Sequence, residues 1–273
     1  MRILFLGDIA GKAGIFCVKS ALNRVVKEKE IDFVIANADC ATGGFGLGKN
    51  HSAYLRKLGI DVLTGGECIY YKKDMVPHIA LAPYILRPAN YPPGNPGRGW
   101  RVYQAKEKKI AVICLLGQSG YTRTHLSNPY TFLPEIVARL KQDTHTIILD
   151  YHACTSAEKY AMFHHADGLV SAAIGTHGKV LTADAQIFPR GTAVVCGCGR
   201  TGSLNSVGGL EKEIEIRKFL TQVPERSHDA WDNLELQGVI IDITDDGRAA
   251  GIETLRHAVT ETPQARDKQK DEE

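Results

Sequence analysis

Short apolar runs, each closed by glycine or polar residues and followed by helical spacing, recur along the chain. Residues 2–7 read as a first strand ending at Asp8. Residues 15–28 follow as a helix with Val18, Leu22, Val25 and Val26 on its apolar face. Residues 31–36 and 61–64 repeat the pattern, with a helix over 49–58 between them, and end in Asp39-Cys40 and Gly65-Gly66-Glu67-Cys68. Residues 101–116 read as two strands around Lys106-Glu107-Lys108-Lys109, and 131–142 as a helix after Asn128-Pro129. Two further runs, 146–149 and 169–174, lead into Asp150-Tyr151-His152-Ala153-Cys154 and Gly175-Thr176-His177. Short strands are expected near 180–188 and 192–196, a helix over 210–221, and a hairpin pairing 237–243 with 249–255 around Asp245-Asp246-Gly247. Strand–helix alternation of this kind predicts an α/β fold with helices packed on sheet faces.

The ends of the strands carry the chemistry. Asp8, Asp39, Glu67, His152 and His177 are oxygen and imidazole donors, and each follows a separate apolar run. One such residue says little, because a lone histidine is more often a core or surface residue. Five at successive strand ends point to a metal site for Mn, Fe or Zn, with room for one or two ions.

Composition narrows the setting. At 273 residues and 44% hydrophobic content the chain can bury a full core, and no interdomain linker is evident, so a single domain over 1–259 is expected. From Thr260 the chain is charged and lacks aromatic residues, which predicts a disordered tail over 260–273. The net charge of +2 is spread evenly, without a basic arm for nucleic acid, and no apolar run reaches membrane-spanning length. The first residues lack the apolar core of a signal peptide, and the seven cysteines are an odd number; a cytoplasmic protein with free thiols is the plain reading. Cys17 and Cys114 sit inside apolar patterns and read as core. Cys40, Cys68, Cys154, Cys196 and Cys198 lie beside glycines or candidate ligands.

Several stretches together resemble the YmdB-like branch of the calcineurin-like metallophosphoesterases, the 2′,3′-cyclic-nucleotide 2′-phosphodiesterase type. They are Arg2-Ile3-Leu4-Phe5-Leu6-Gly7-Asp8-Ile9-Ala10-Gly11-Lys12, Ala41-Thr42-Gly43-Gly44-Phe45-Gly46, Arg87-Pro88-Ala89-Asn90-Tyr91-Pro92, Thr155-Ser156-Ala157-Glu158-Lys159, Gly175-Thr176-His177 and Thr182-Ala183-Asp184. The resemblance runs from residue 1 to about 257 and implies an αββα sandwich of two facing mixed sheets, with metal loops at one edge. It also implies that Asp8 binds one ion and Asp39 bridges two. This chain departs from the family's pattern at several positions. Asp39-Cys40 replaces a Glu followed by Asn, and Gly66-Glu67-Cys68 replaces Gly-Asn-His, which removes the histidine that would protonate the leaving group. Cys154 replaces a Glu, and Lys179 replaces the last histidine of Gly-Thr-His-Thr-His. Asp39, Glu67, His152 and His177 would hold one ion, and the Lys179 ammonium would stand in for the second or mark its loss.

Three functions are weighed. The first is a metal-dependent phosphodiesterase acting on a small phosphodiester or nucleotide, with a divergent site. In it Cys68 or water would serve as acid, Lys179 as a catalytic cation, and Asn90, Arg98 and Arg200 as phosphate contacts. The second is a non-hydrolytic metalloprotein on the same scaffold, holding an Fe–S cluster or soft metal through Cys40, Cys68, Cys154, Cys196 and Cys198, for redox, sensing or lyase chemistry; its counterpart is a set of independent buried thiols. The third is a regulatory protein that binds nucleotide without turnover. The reading leaves room for a homo-oligomer and involves no membrane.

Overall fold

The computed structural model describes residues 1–121 and 126–268. In chain order the elements are β1 (Arg2–Leu6), β2 (Asp8–Ile9), α1 (Gly11–Glu28), β3 (Phe33–Asn37), α2 (Lys49–Lys57), β4 (Val62–Thr64), α3 (Met75–Ile79), β5 (Ile85–Leu86), β6 (Trp100–Ala105) and β7 (Lys108–Leu116). There follow α4 (Pro129–Leu140), β8 (Ile147–His152), α5 (Ser156–Ala166), β9 (Ala172–Thr176), β10 (Gln186–Ile187), β11 (Ala193–Val195), β12 (Arg200–Ser203), α6 (Lys212–Thr221), β13 (Leu234–Ile243), β14 (Ala249–Ala258) and α7 (Ala265–Lys268).

Two mixed sheets face one another. One has the order β2-β12-β13-β1-β3-β4-β5, with β14 on the other edge of β13; the second has the order β10-β11-β9-β8-β7-β6. In the first, β1, β3, β4 and β5 are parallel, and in the second β7, β8, β9 and β11 are parallel. Alternation within each strand makes the layers. Ile3, Phe5, Phe33 and Ile35 meet Ile110, Val112, Ile148 and Ile174 between the sheets. Leu4, Leu6, Val34 and Ala36 point outward and pack with Val18, Leu22 and Val25 of α1. On the far side Ala111, Ile113, Leu115 and Leu149 pack with Leu133, Val137, Met162 and Phe163 of α4 and α5. Strands covered on both faces carry apolar residues at nearly every position, which is why these runs lack a polar alternation. This is the αββα sandwich that the resemblance implies.

The helices begin where local chemistry supplies a partner. Pro129 opens α4, and the Asn128 side chain accepts from Tyr130 N at 2.9 Å. Thr155 Oγ1 accepts from Glu158 N at 3.2 Å to open α5. Glu158 then turns its carboxylate to Gln118 N at 2.6 Å, which fixes the loop after β7.

Several boundaries differ from expectation. Helix α1 begins at Gly11 rather than near residue 15, because Gly14 N already bonds Ala10 O at 2.9 Å. Strand β12 was not anticipated: Arg-Thr-Gly-Ser has no apolar pattern and is held by pairing with β2 and β13. Of the tail over 260–273 expected to be disordered, residues 269–273 lie outside the described residues; ahead of them Asp267 accepts from Lys19 Nζ at 2.7 Å, and Lys268 Nζ stands 5.6 Å from the Trp231 ring centroid. Charge pairs therefore hold what an apolar pattern does not. No helix among the described residues is long and apolar enough to cross a membrane.

Gly7 joins β1 to β2 where the chain crosses Gly199; a Cβ on Gly7 would lie 2.3 Å from Gly199 O, a backbone atom with no side-chain freedom to yield. Gly7→Ala is therefore expected to destabilise the protein by about 1–3 kcal/mol, read as a lower urea midpoint at unchanged m. An unchanged or raised midpoint would show that this crossing relaxes freely.

Candidate active site

The parallel strands of both sheets run so that their carboxyl ends share one edge, and the candidate residues meet there. Asp8 and Asp39 are fully buried, and His152 is 1% exposed. His152 Nε2 lies 2.9 Å from Glu67 Oε2 and 3.9 Å from Asp39 Oδ2. His177 Nδ1 lies 3.2 Å from His152 Nε2 and 3.4 Å from Glu67 Oε1. Asp8 joins through its Oδ2, which accepts from His177 N at 3.3 Å. Glu67, His152 and His177 thus offer three ligand atoms to one point, and Asp39, Glu67 and Cys68 form an overlapping group.

A polar layer that the sequence reading did not single out aims these groups. Thr176 Oγ1 donates to Asp150 Oδ1 at 2.7 Å, so its lone pairs receive His152 Nδ1–H at 2.7 Å. That leaves Nε2 as the ring nitrogen facing Glu67, the arrangement by which a carboxylate relay fixes a ligand histidine. Asn37 Nδ2 donates to Asp150 Oδ2 at 3.0 Å, and Asn37 Oδ1 accepts from Asp39 N at 3.1 Å. Asp39 itself accepts from Gly66 N at 2.5 Å and Cys68 N at 3.0 Å. A Cβ on Gly66 would stand 2.4 Å from His152 Nε2, so only glycine leaves that nitrogen accessible. The signal for Asn37, Asp150 and Thr176 was available in principle, as each is a polar residue within a strand that is otherwise apolar.

Backbone strain marks the same edge. His177 sits at φ +82° and Lys179 at φ +55°, a left-handed region unusual for residues with side chains and frequent at functional sites. Tyr121 packs edge-on to the His177 ring, centroids 5.5 Å apart, and Cys154 Sγ is 3.4 Å from His177 Nε2.

Electrostatics follow from these contacts. Burial opposes charge on Glu67, yet hydrogen bonds and positive charge from His152 and His177 hold its carboxyl well below the usual range. Burial also disfavours the His152 imidazolium, but the hydrogen bond to Glu67 and the charges of Glu67, Asp39 and Asp8 outweigh it and raise its pKa to about 9. Asp39 is pushed up, by burial first and by Glu67 second. Lys179 is hydrogen-bonded to Cys40; burial disfavours its charge, but Cys40, Asp8 and Asp39 together raise its pKa. The Cys68 thiol is driven far up by burial and by Asp39, to which it donates.

Two imidazole nitrogens and a carboxylate converging with a further buried acid are in repulsion unless a proton or cation lies between them. Asp8 Oδ1 is buried with no hydrogen-bond partner, and an uncompensated carboxylate oxygen is costly unless something cationic meets it. The donor set of oxygen and nitrogen fits a divalent transition metal.

The cysteine cluster is not formed. Cys196 packs among the outer apolar residues with Val194 and Phe188, and Cys198 between the sheets with Val195 and Ile174. The chain bends at Cys196, just past β11, and the two thiols lie on opposite faces of the sheet. Cys154 lies beside His177, and Cys40 beside Lys179. Among the described residues, neither metal-capable group holds more than one cysteine. An Fe–S cluster or soft-metal centre on Cys40, Cys68, Cys154, Cys196 and Cys198 is therefore not supported. The residues expected to contact phosphate are placed in three different settings. Arg200 spends its guanidinium on the carbonyls of Ser203, Lys179 and Leu204 at 2.8–2.9 Å. Asn90 is fully buried, bonding Leu116 N and O. Arg98 is exposed, and its carbonyl accepts from Arg87 N. The first two serve to shape loops, and Arg98 bridges to Leu86 through its backbone.

Comparison with known proteins agrees with this fold. The chain is 36% identical over 250 residues, 92% of its length and 94% of the relative's, to the 2′,3′-cyclic-nucleotide 2′-phosphodiesterase of Bacillus subtilis (strain 168). A crystal structure of a novel phosphatase from Mycoplasma pneumoniae superposes with TM-score 0.88 at 30% identity, covering 94% of this chain and 93% of that one. A hypothetical protein from Thermus thermophilus superposes with TM-score 0.87 at 28% identity, covering 94% of this chain and 99% of that one. The family described as YmdB-like protein matches residues 4–255, and this chain belongs to that family.

Proposed function

We propose that the chain is a metal-dependent phosphodiesterase acting on a small nucleotide phosphodiester of the 2′,3′-cyclic type. The observation that carries the reading is the meeting of Glu67, His152 and His177, with Asp39 behind them, at the carboxyl ends of the parallel strands of the two mixed sheets. The activity borne by the Bacillus subtilis relative's name supports the substrate class. The seven free cysteines accord with a reducing, cytoplasmic setting.

On this reading Asp39, Glu67, His152 and His177 hold one divalent ion, Mn, Fe or Zn. When bound, such an ion activates water and neutralises phosphoryl charge. Asp150 and Thr176 keep the His152 proton on Nδ1 and so present Nε2 as a donor. Lys179, set among Cys40, Asp8 and Asp39, offers a compact positive charge where a second ion would otherwise be needed. Cys68 is too weak an acid for the leaving group, since burial and Asp39 hold its proton. Proton delivery falls to solvent, and turnover is correspondingly modest.

Chelation should abolish hydrolysis of a 2′,3′-cyclic mononucleotide, and added Mn, Fe or Zn should restore it; turnover that survives exhaustive chelation would refute the reading. Loading must displace the proton that His152 holds with a pKa of about 9. Apparent metal affinity measured by calorimetry should therefore rise by about tenfold per pH unit between about 6 and about 9, more steeply below about 6 where Asp39 is protonated as well, and level off above about 9. A flat profile would mean that His152 is no ligand. Elemental analysis should find one ion per chain, and Lys179→His should admit a second. Adding Cys68→His to that variant should raise kcat within the about 10²–10⁴-fold range of general acids, with KM little changed.

A further inference from the structure

The three loops that carry Asp8, Asp39 and Glu67 do not stop at the site. A few residues further on, at Lys12 in the first turn of α1, at Thr42, Gly43 and Phe45, and at Tyr71 to Lys73, the chain forms walls of a cleft of about 1430 Å³. Ligand pockets for a single small molecule typically hold about 300–1,000 Å³, so the cleft exceeds what one mononucleotide requires.

Its chemistry is specific. Phe45 is 50% exposed and Tyr71 54% exposed, unusual for large rings in a well-packed chain. The glycine loop brings them together: a Cβ on Gly46 would lie 3.3 Å from Tyr71 Cβ and 3.4 Å from Lys72 Cγ, and one on Gly43 would lie 3.9 Å from Lys72 Nζ. Gly43, Gly44 and Gly46 all have positive φ, a backbone that presses this loop flat against the 71–73 segment. The lining carries six cationic side chains, Lys12, Lys72, Lys73, Lys218, Arg226 and Lys268, against the four acids Asp74, Glu211, Glu225 and Asp229, and Glu225 is paired with Arg217 at 2.6 Å. The cleft is therefore net positive, and Lys72 and Lys73 lie on the wall shared with Phe45 and Tyr71. Exposed rings interleaved with lysines are the surface on which a single strand of nucleic acid lies, bases on the rings and phosphates on the ammonium groups.

We propose that this cleft binds the nucleotides next to the scissile one, so that the substrate is a single-stranded oligoribonucleotide whose terminal phosphodiester enters the site, rather than a free mononucleotide alone. The inference deepens the phosphodiesterase reading and rests on it for the reacting end only. Binding in the cleft itself is measured separately.

The test uses the full-length metal-loaded protein and a 5′-fluorescein-labelled short oligoribonucleotide ending in a 3′-phosphate, a product-like probe that undergoes no turnover. Fluorescence anisotropy should report tighter binding than that of an unlabelled nucleoside 3′-phosphate competitor, with log K falling linearly against log salt. The paired variant Phe45→Ala/Tyr71→Ala should weaken oligomer binding by about tenfold or more. Lys72→Ala/Lys73→Ala should reduce the salt slope by about 0.7 for each lysine that meets a phosphate. Both variants should hydrolyse a 2′,3′-cyclic mononucleotide at the wild-type rate, which also reports that they fold. Oligomer binding no tighter than that of the nucleoside 3′-phosphate, or unaffected by both variants, would overturn the inference even if the mononucleotide is hydrolysed. Loss of mononucleotide hydrolysis in wild type with oligomer binding intact would overturn the phosphodiesterase reading and leave the cleft assignment standing.

Discussion

The edge of the molecule depends on a buried polar contact between the two sheets. Asn37 ends β3 in one sheet, and Asp150 and Thr176 lie in β8 and β9 of the other. A carboxylate as deeply buried as Asp150 is tolerable only when its oxygens are satisfied, and here each has a donor. Apolar packing between the sheets fixes their distance but is indifferent to small slides. The hydrogen bonds are directional and set the register of one sheet edge against the other. Everything in the site inherits that register, because His152 is oriented from one sheet and Asp39 from the other.

This explains why residues of low apparent value in the chain matter. Gly66 makes no side-chain contact, yet any Cβ there would lie 2.4 Å from His152 Nε2. His177 is carried on backbone at φ +82°, which costs energy that the surrounding loops absorb, and which turns its Nδ1 toward Glu67. The thiols show the converse. Cys40, Cys68 and Cys154 stand near charged groups, but burial holds their protons on. They fill space at the rim of the site, as small buried cysteines generally do.

Much of the fold is legible in the chain, because strands buried on both faces produce compact apolar runs that few other arrangements mimic. Asp8, Asp39, Glu67, His152 and His177 stand out for the same reason, each being among the first polar groups after such a run. What lies inside the strands is less readable. Thr176 meets His152 only through the register that pairs β8 with β9, and register is a long-range property. Arg200 shows a different limit: a guanidinium that feeds three carbonyls and one that meets a phosphate look identical in sequence. Strand β12 is formed by its neighbours and leaves no local trace.

The division of the site between the sheets has a consequence for how the protein holds together. Asp39 and Glu67 issue from the amino-terminal sheet, His152 and His177 from the later one. Only when both sheets contribute do His152 and His177 join Glu67 and Asp39 around one point. A cation held by that full set would rivet the finished sandwich, and its slow departure would become a measure of how rarely the two sheets part.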